Sequence, residues 1–72
     1  MKVKNKIKIT VNGKQIQIIP NFSLERLIAK LKIPLNKIAI ELNKEIIDKK
    51  RTSNIKLKKD DKIEIVHFIG GG

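Results

Sequence analysis

The sequence predicts an α+β roll: a mixed sheet of about five strands, in the order β-β-α-β-β-β, with one helix packed across it. Three observations carry this reading. An Asn-Gly pair at Asn12–Gly13 joins two stretches that alternate apolar and polar residues. A single segment of helical period lies between Pro20 and Pro34. The chain then runs, near its end, through its most apolar stretch, "IEIVHF".

The first element, "VKNKIKITV", sets Val3, Ile7, Ile9 and Val11 against Lys4, Lys6, Lys8 and Thr10, the period of a half-buried strand. Asn12–Gly13 suits a type I′ hairpin turn, because both residue types tolerate positive φ. With a two-residue loop, Val11 faces Lys14, Ile9 faces Ile16 and Ile7 faces Ile18. The isoleucines of both strands then share one face, which a slip of one residue would destroy. Pro20 ends the second strand.

In "NFSLERLIAKLKIP" Ser23 is placed to cap a helix and Glu25 to complement its positive end. Leu24, Leu27, Ile28 and Leu31 form one apolar stripe, and Phe22 with Leu27 forms a hydrophobic staple. Pro34 restricts Ile33, so the helix is expected to stop by about Lys32. With one stripe only, the helix must lie across the sheet.

"KIAIEL" resumes period two, and Asn43–Lys44 makes a second tight turn that sets Ile47 opposite Ile40. Residues 48–54, "DKKRTSN", read as the long polar connection, with Ile55 and Leu57 a weak apolar anchor. "KKDDK" reads as a turn. In the last strand Ile63 and Ile65 occupy one face and Val66 and Phe68 the other. This pattern predicts a central strand covered on both faces at first, then exposed near Phe68 and Ile69. The globular part is expected over residues 1–68, followed by a flexible glycine tail at 69–72.

Composition narrows the function. Seventy-two residues make one small domain, with no cysteine for staples or thiolate sites. No apolar run reaches membrane-span length, and the start is no signal peptide, so a cytoplasmic protein with no membrane partner is expected. Lys+Arg number 17 against 7 Asp+Glu, a formal charge of +10. Such a balance can serve phosphate neutralisation. However, Arg26 and Arg51 are the only arginines and Phe22 and Phe68 the only aromatics, which leaves little for base reading or stacking. A basic RNA-binding module would explain the lysines and leave the glycines unexplained.

Catalytic constellations are absent. His67 is the one histidine, there is no phosphate loop, and Asp60–Asp61 read as turn formers, not metal ligands. No bound cofactor and no enzymatic activity of its own are expected. What remains is "GGG" at the end. A cloning scar, a disordered end and a functional carboxylate are the three readings. For the last, a tail without Cβ atoms is thin enough to enter a narrow cleft in another protein. There its terminal carboxylate could attack the α-phosphate of ATP, and a sulfur or amine nucleophile could open the acyl-adenylate.

The stretches "IAIELNKEII" and "DDKIEIVHF" with the ending "IGGG" closely resemble the ThiS group of sulfur carriers for thiamin biosynthesis, ubiquitin-like proteins of the β-grasp fold. The resemblance spans nearly the whole chain. It implies that the Gly72 carboxylate is adenylated by an E1-like adenylyltransferase using ATP and Mg. A cysteine desulfurase or other persulfide donor then converts it to a thiocarboxylate, which serves thiazole synthase. By position Gly71 and Gly72 match the family's diglycine and Gly70 extends it, while Phe68 and Ile69 match the apolar approach that docks on partners. The fold also implies parallel pairing of the first and last strands. Lys44 stands where glycine is usual, and Asp60–Asp61 where Gly-Asp is common; a non-glycine side chain at positive φ costs on the order of 1 kcal/mol unless Asn43 absorbs it. The small subunit of molybdopterin synthase and carriers for tRNA thiolation or cysteine synthesis share this fold and ending, so tail chemistry alone does not choose the sulfur acceptor.

Overall fold

The structure is a computed structural model and describes residues 5–67. Strands β1 (Ile7–Val11) and β2 (Lys14–Ile18) form the first hairpin, with Ile9↔Ile16 and Ile7↔Ile18 as expected. Asn12 (φ 49°) and Gly13 (φ 84°) make its turn. A Cβ on Gly13 would meet nothing within 4 Å, so glycine is there for its backbone angle and not for space.

Helix α1 (Leu24–Lys30) starts where Ser23 Oγ accepts from the Arg26 N–H at 3.1 Å. It buries Leu24, Leu27 and Ile28. Phe22 packs half-buried against the same core, and the Arg26 guanidinium stacks over its ring at 5.2 Å. The helix stops before Lys32, as expected, with Leu31 as its last stripe position. Leu31 is the C-cap and 36% exposed, so it does not extend the buried stripe. Lys32 takes the left-handed conformation (φ 59°) and donates to Ala29 O, while Ile33 N–H donates to Ile28 O. That is a Schellman closure with lysine where glycine is usual. Pro34 follows a helix that has already stopped.

A single 3-10 turn over Leu35–Lys37 leads into β3 (Ile38–Leu42), which pairs with the short β4 (Glu45–Ile46). Ile47 N–H donates to Ile40 O at 2.9 Å, the pairing expected of the second hairpin. Both turn residues, Asn43 (φ 51°) and Lys44 (φ 72°), are left-handed. Asn43 therefore does not absorb the strain for Lys44. The expected polar connection is largely a 3-10 helix over Lys49–Asn54, opened by Asp48, whose Oδ1 accepts from the Lys50 N–H. Leu57, expected as a weak anchor, is among the most buried residues at 1% exposure. Residues 55–57 are stitched to the helix entry: Leu24 N–H donates to Ile55 O and Leu57 N–H to Phe22 O. The loop thereby closes the open end of the core.

Strand β5 (Lys62–His67) completes the sheet in the order β2-β1-β5-β3-β4. It runs parallel to β1 and antiparallel to β3. Ile63 and Ile65 join Ile9, Ile18, Ile38, Ile40, Leu57 and the helix residues in one core. The strand is central, as expected, but only one of its faces is covered. Glu64 is exposed and Val66 is 59% exposed, so the outer face is open well before Phe68. The helix grips the inner side only.

Candidate functional site

The tail residues Gly70, Gly71 and Gly72, and Phe68 and Ile69 before them, lie outside the described residues. The structure does describe the strand that leads into them. It shows how β5 is held along its length.

At its start, β5 is locked by the second hairpin turn. Asn43 N–H donates to Lys62 O at 2.8 Å, and Asn43 Oδ1 accepts from Lys62 N–H at 2.9 Å. Asn43 Nδ2 donates to Asp61 Oδ1 at 3.0 Å, and Asp61 Oδ2 accepts from Lys58 N–H at 2.7 Å. Asp61 is a buried turn residue whose two oxygens are each bonded, which agrees with the turn-forming role read for the aspartate pair. Asp60, its neighbour, has φ 69°, and its N–H donates to Lys8 O.

Further along, β1 parts from β5. The register with β5 ends at Val11↔Ile63, and the backbone turns away at Asn12. Asn12 N–H still donates to Ile63 O at 2.9 Å. Its side chain then reaches the next residue on the same side of β5. Asn12 Oδ1 accepts from Ile65 N–H at 2.7 Å, and Asn12 Nδ2 donates to Ile65 O at 3.3 Å. The primary amide thus continues the ladder by one step after the backbone has gone. On the opposite side β3 runs alongside to Ile38↔His67.

The outer face of the sheet is mixed. Val66 lies opposite Ala39, and Glu64 opposite Glu41, which in turn lies opposite Ile46. Val66 and Ile46 (78% exposed) are the large apolar groups here. His67 is exposed at the end of β5, as a solvated strand residue should be. Among the described residues no group of three or more His, Cys, Asp or Glu side chains is placed to hold a metal ion. None of their helices is long and apolar enough to cross a membrane.

Sequence reasoning missed Asn12 and Asn43 as fasteners of β5. Tolerance of positive φ explains an asparagine at both turns, but it accounts only for the main chain. The available signal was chemical: an asparagine at the first turn position keeps an amide with both donor and acceptor, which glycine or aspartate in the same turn lacks.

A five-stranded mixed sheet wrapped around one helix, with the first and last strands parallel at its centre, defines the ubiquitin-like β-grasp class. The ThiS family matches this chain over residues 8–72. The sulfur carrier protein ThiS of Bacillus subtilis is 37% identical over 65 residues, covering 89% of this chain and 98% of its own length. The chain belongs to the ThiS family. A crystal structure of the thiamine biosynthesis protein ThiS from Geobacter metallireducens superposes with a TM-score of 0.80 at 28% identity, over 92% of this chain and all of that one. Similarity also extends to a thiazole synthase from Paramagnetospirillum magneticum, 35% identical over 66 residues and 92% of this chain. The chain spans only 20% of that protein's length.

Proposed function

We propose that this protein carries sulfur for thiamin biosynthesis on the carboxylate of Gly72. The observation that carries the reading is that the family match runs through residue 72 and so takes in the glycine tail along with the fold. A carboxylate is a poor acyl donor until one oxygen becomes part of a good leaving group. In the proposed sequence a Gly72 oxygen attacks the α-phosphorus of Mg-ATP on an E1-like adenylyltransferase, and pyrophosphate leaves. The outer sulfur of a cysteine persulfide, supplied by a cysteine desulfurase or a similar donor, then attacks the acyl carbon and displaces AMP. A thiol cleaves the resulting acyl disulfide, leaving the thiocarboxylate on Gly72 and a disulfide on the donor side.

The chain's own part is to present the group. Gly70 and Gly71 supply a tail without side chains, and Phe68 and Ile69 provide apolar docking beside it. Nucleotide and magnesium belong to the activating enzyme; this protein needs no cofactor of its own and acts as a co-substrate in the cytoplasm. Thiazole synthase is the proposed acceptor. It is supported by the two thiazole synthases, from Paramagnetospirillum magneticum and Magnetococcus marinus, in which a fifth of the chain resembles nearly all of this one.

The test is mass spectrometry of the intact protein after incubation with an E1-like adenylyltransferase, Mg-ATP and a persulfide donor. The expected gain is that of one sulfur replacing one oxygen, mapped to the C-terminal peptide. Deleting Gly72 abolishes the gain while leaving thermal unfolding unchanged. An unmodified C-terminal peptide from the full-length chain would refute the reading. A thiocarboxylate that forms but is not consumed by thiazole synthase would instead reassign the acceptor.

A further inference from the structure

We propose that Asn12 is a positioning residue for the sulfur-carrying tail, its side-chain amide standing in for the missing peptide of β1 and holding β5 at Ile65, two residues before His67. The inference rests on the carrier reading, because it assigns Asn12 a role in that reaction.

Position along β5 is the first argument. The strand has neighbours on both sides only while β1 accompanies it, and that pairing ends at Val11↔Ile63. Beyond this point β3 pairs with one edge only, through Ala39↔Val66 and Ile38↔His67. The backbone groups of Ile65 on the other edge are taken by Asn12, at 2.7 Å and 3.3 Å. Among the described residues it is the last group bonding β5 from the β1 side before the tail. A strand end held on one edge frays; held on both, it leaves the sheet in one direction.

Chemistry is the second. The position requires φ near +50°, which Asn, Asp and Gly all accept. Of these only Asn both accepts from an N–H and donates to a C=O, as a peptide does. Aspartate at neutral pH would keep the contact to Ile65 N–H and oppose the Ile65 carbonyl. Glycine would keep the turn and lose both contacts. The three residues therefore separate the turn's requirement from the clamp's. Gly13 follows in each case, so the hairpin signal is preserved.

A tail that must place its last atom in another protein's active site depends on the direction in which its strand is aimed. A displacement of about 1 Å at a reacting group can lower the rate roughly 100-fold. Loosening β5 at Ile65 should thus reduce the rate at which the bound carrier reacts, not its binding.

The test compares wild type, Asn12→Asp and Asn12→Gly in two measurements. The first is amide hydrogen exchange at Ile65, by NMR on the free protein. The second is ATP–pyrophosphate exchange by an E1-like adenylyltransferase of the thiamin pathway, with the carrier as varied substrate. Expected for Asn12→Gly are Ile65 exchange faster by about tenfold or more and kcat lower by about 10- to 100-fold, with KM unchanged. Asn12→Asp should retain most of the Ile65 protection and give an intermediate kcat. Ile65 exchange unaltered in Asn12→Gly would show that the clamp does not hold the strand. Faster exchange with unaltered kcat, or a change confined to KM, would reduce Asn12 to a structural role; either result overturns the proposal. If wild type supports no pyrophosphate exchange, the carrier reading fails and the positioning role with it, whereas variants equal to an active wild type sink the positioning role alone.

Discussion

Replacing Leu57 by alanine is the sharpest test of how this small core is closed. Leu57 sits outside every strand and α-helix, yet only 1% of it is exposed, and it belongs to the cluster that joins helix and sheet. The substitution removes the isopropyl end of a fully buried side chain. At about 0.8 kcal/mol per buried carbon the transfer term alone is roughly 2.4 kcal/mol. A cavity term adds to it, moderated because residues 55–57 lie in irregular backbone that can settle inwards, so the total expected loss is about 3 kcal/mol. A domain of this size has roughly 4–11 kcal/mol to lose, and each kcal/mol moves its melting point by about 4–8 °C. The expected fall in Tm is therefore about 12–24 °C. Ile46→Ala is the matched control, since 78% of Ile46 is exposed and its loss should change stability by less than about 0.5 kcal/mol. Urea denaturation measures both, and the slope with denaturant should stay that of wild type. If the two variants share a midpoint, Leu57 is no core residue and the loop does not close the core.

Other substitutions read the polar fasteners and the strained turns. Asp61→Ala leaves Lys58 N–H and Asn43 Nδ2 without their acceptor in a mostly buried place; chemical denaturation should register a loss of about 2–3 kcal/mol. Ser23→Ala removes the only side-chain cap of α1 and should cost about 1 kcal/mol by the same assay. Lys44→Gly relieves a left-handed lysine of about 1 kcal/mol of strain but gives back about 0.5–1 kcal/mol through the freer unfolded chain, so Tm should be unchanged or slightly higher. A clear loss in that variant would mean that Lys44 makes a stabilising contact the turn geometry does not reveal.

Elements whose signals are local and periodic were readable in the sequence. The first hairpin came out in register because Asn-Gly fixes the loop and alternation fixes the face. The second followed from the same two rules, and Ser23 marked the helix start. What the sequence hid was tertiary. Leu57 looks weak because no periodic neighbours support it, yet the segment around it is bonded to Phe22 and Leu24, more than thirty residues earlier in the chain. Leu31 looks buried because it sits at i+7 from Leu24, but it is the half-in C-cap residue, followed by the left-handed Lys32, and stays exposed. The alternation of Val66 with Ile65 suggested a strand covered on both sides; no second layer exists among the described residues to cover it. Of the site itself, the glycines and the apolar Phe68 and Ile69 stand in the sequence as a pattern, and they lie outside the described residues. The amides that fasten the strand before them were not legible, since a turn already accounted for each asparagine.

The two hairpin turns do different mechanical jobs on one strand. Asn43, with Asp61, fastens the start of β5 at Lys62, and Asn12 fastens it at Ile65. Left-handed non-glycine residues at Lys44 and Asp60 stand beside the first of these fasteners. At about 3.3 Å per residue, the start of β5 lies about 16 Å from His67. The bonded Asn43–Asp61–Lys58 network lies at that start of the strand. The turns at one end of the central strand can thus vary at a cost of about 1 kcal/mol each in stability, while further along the β1 edge of the strand is held by the Asn12 amide and the opposite edge by β3.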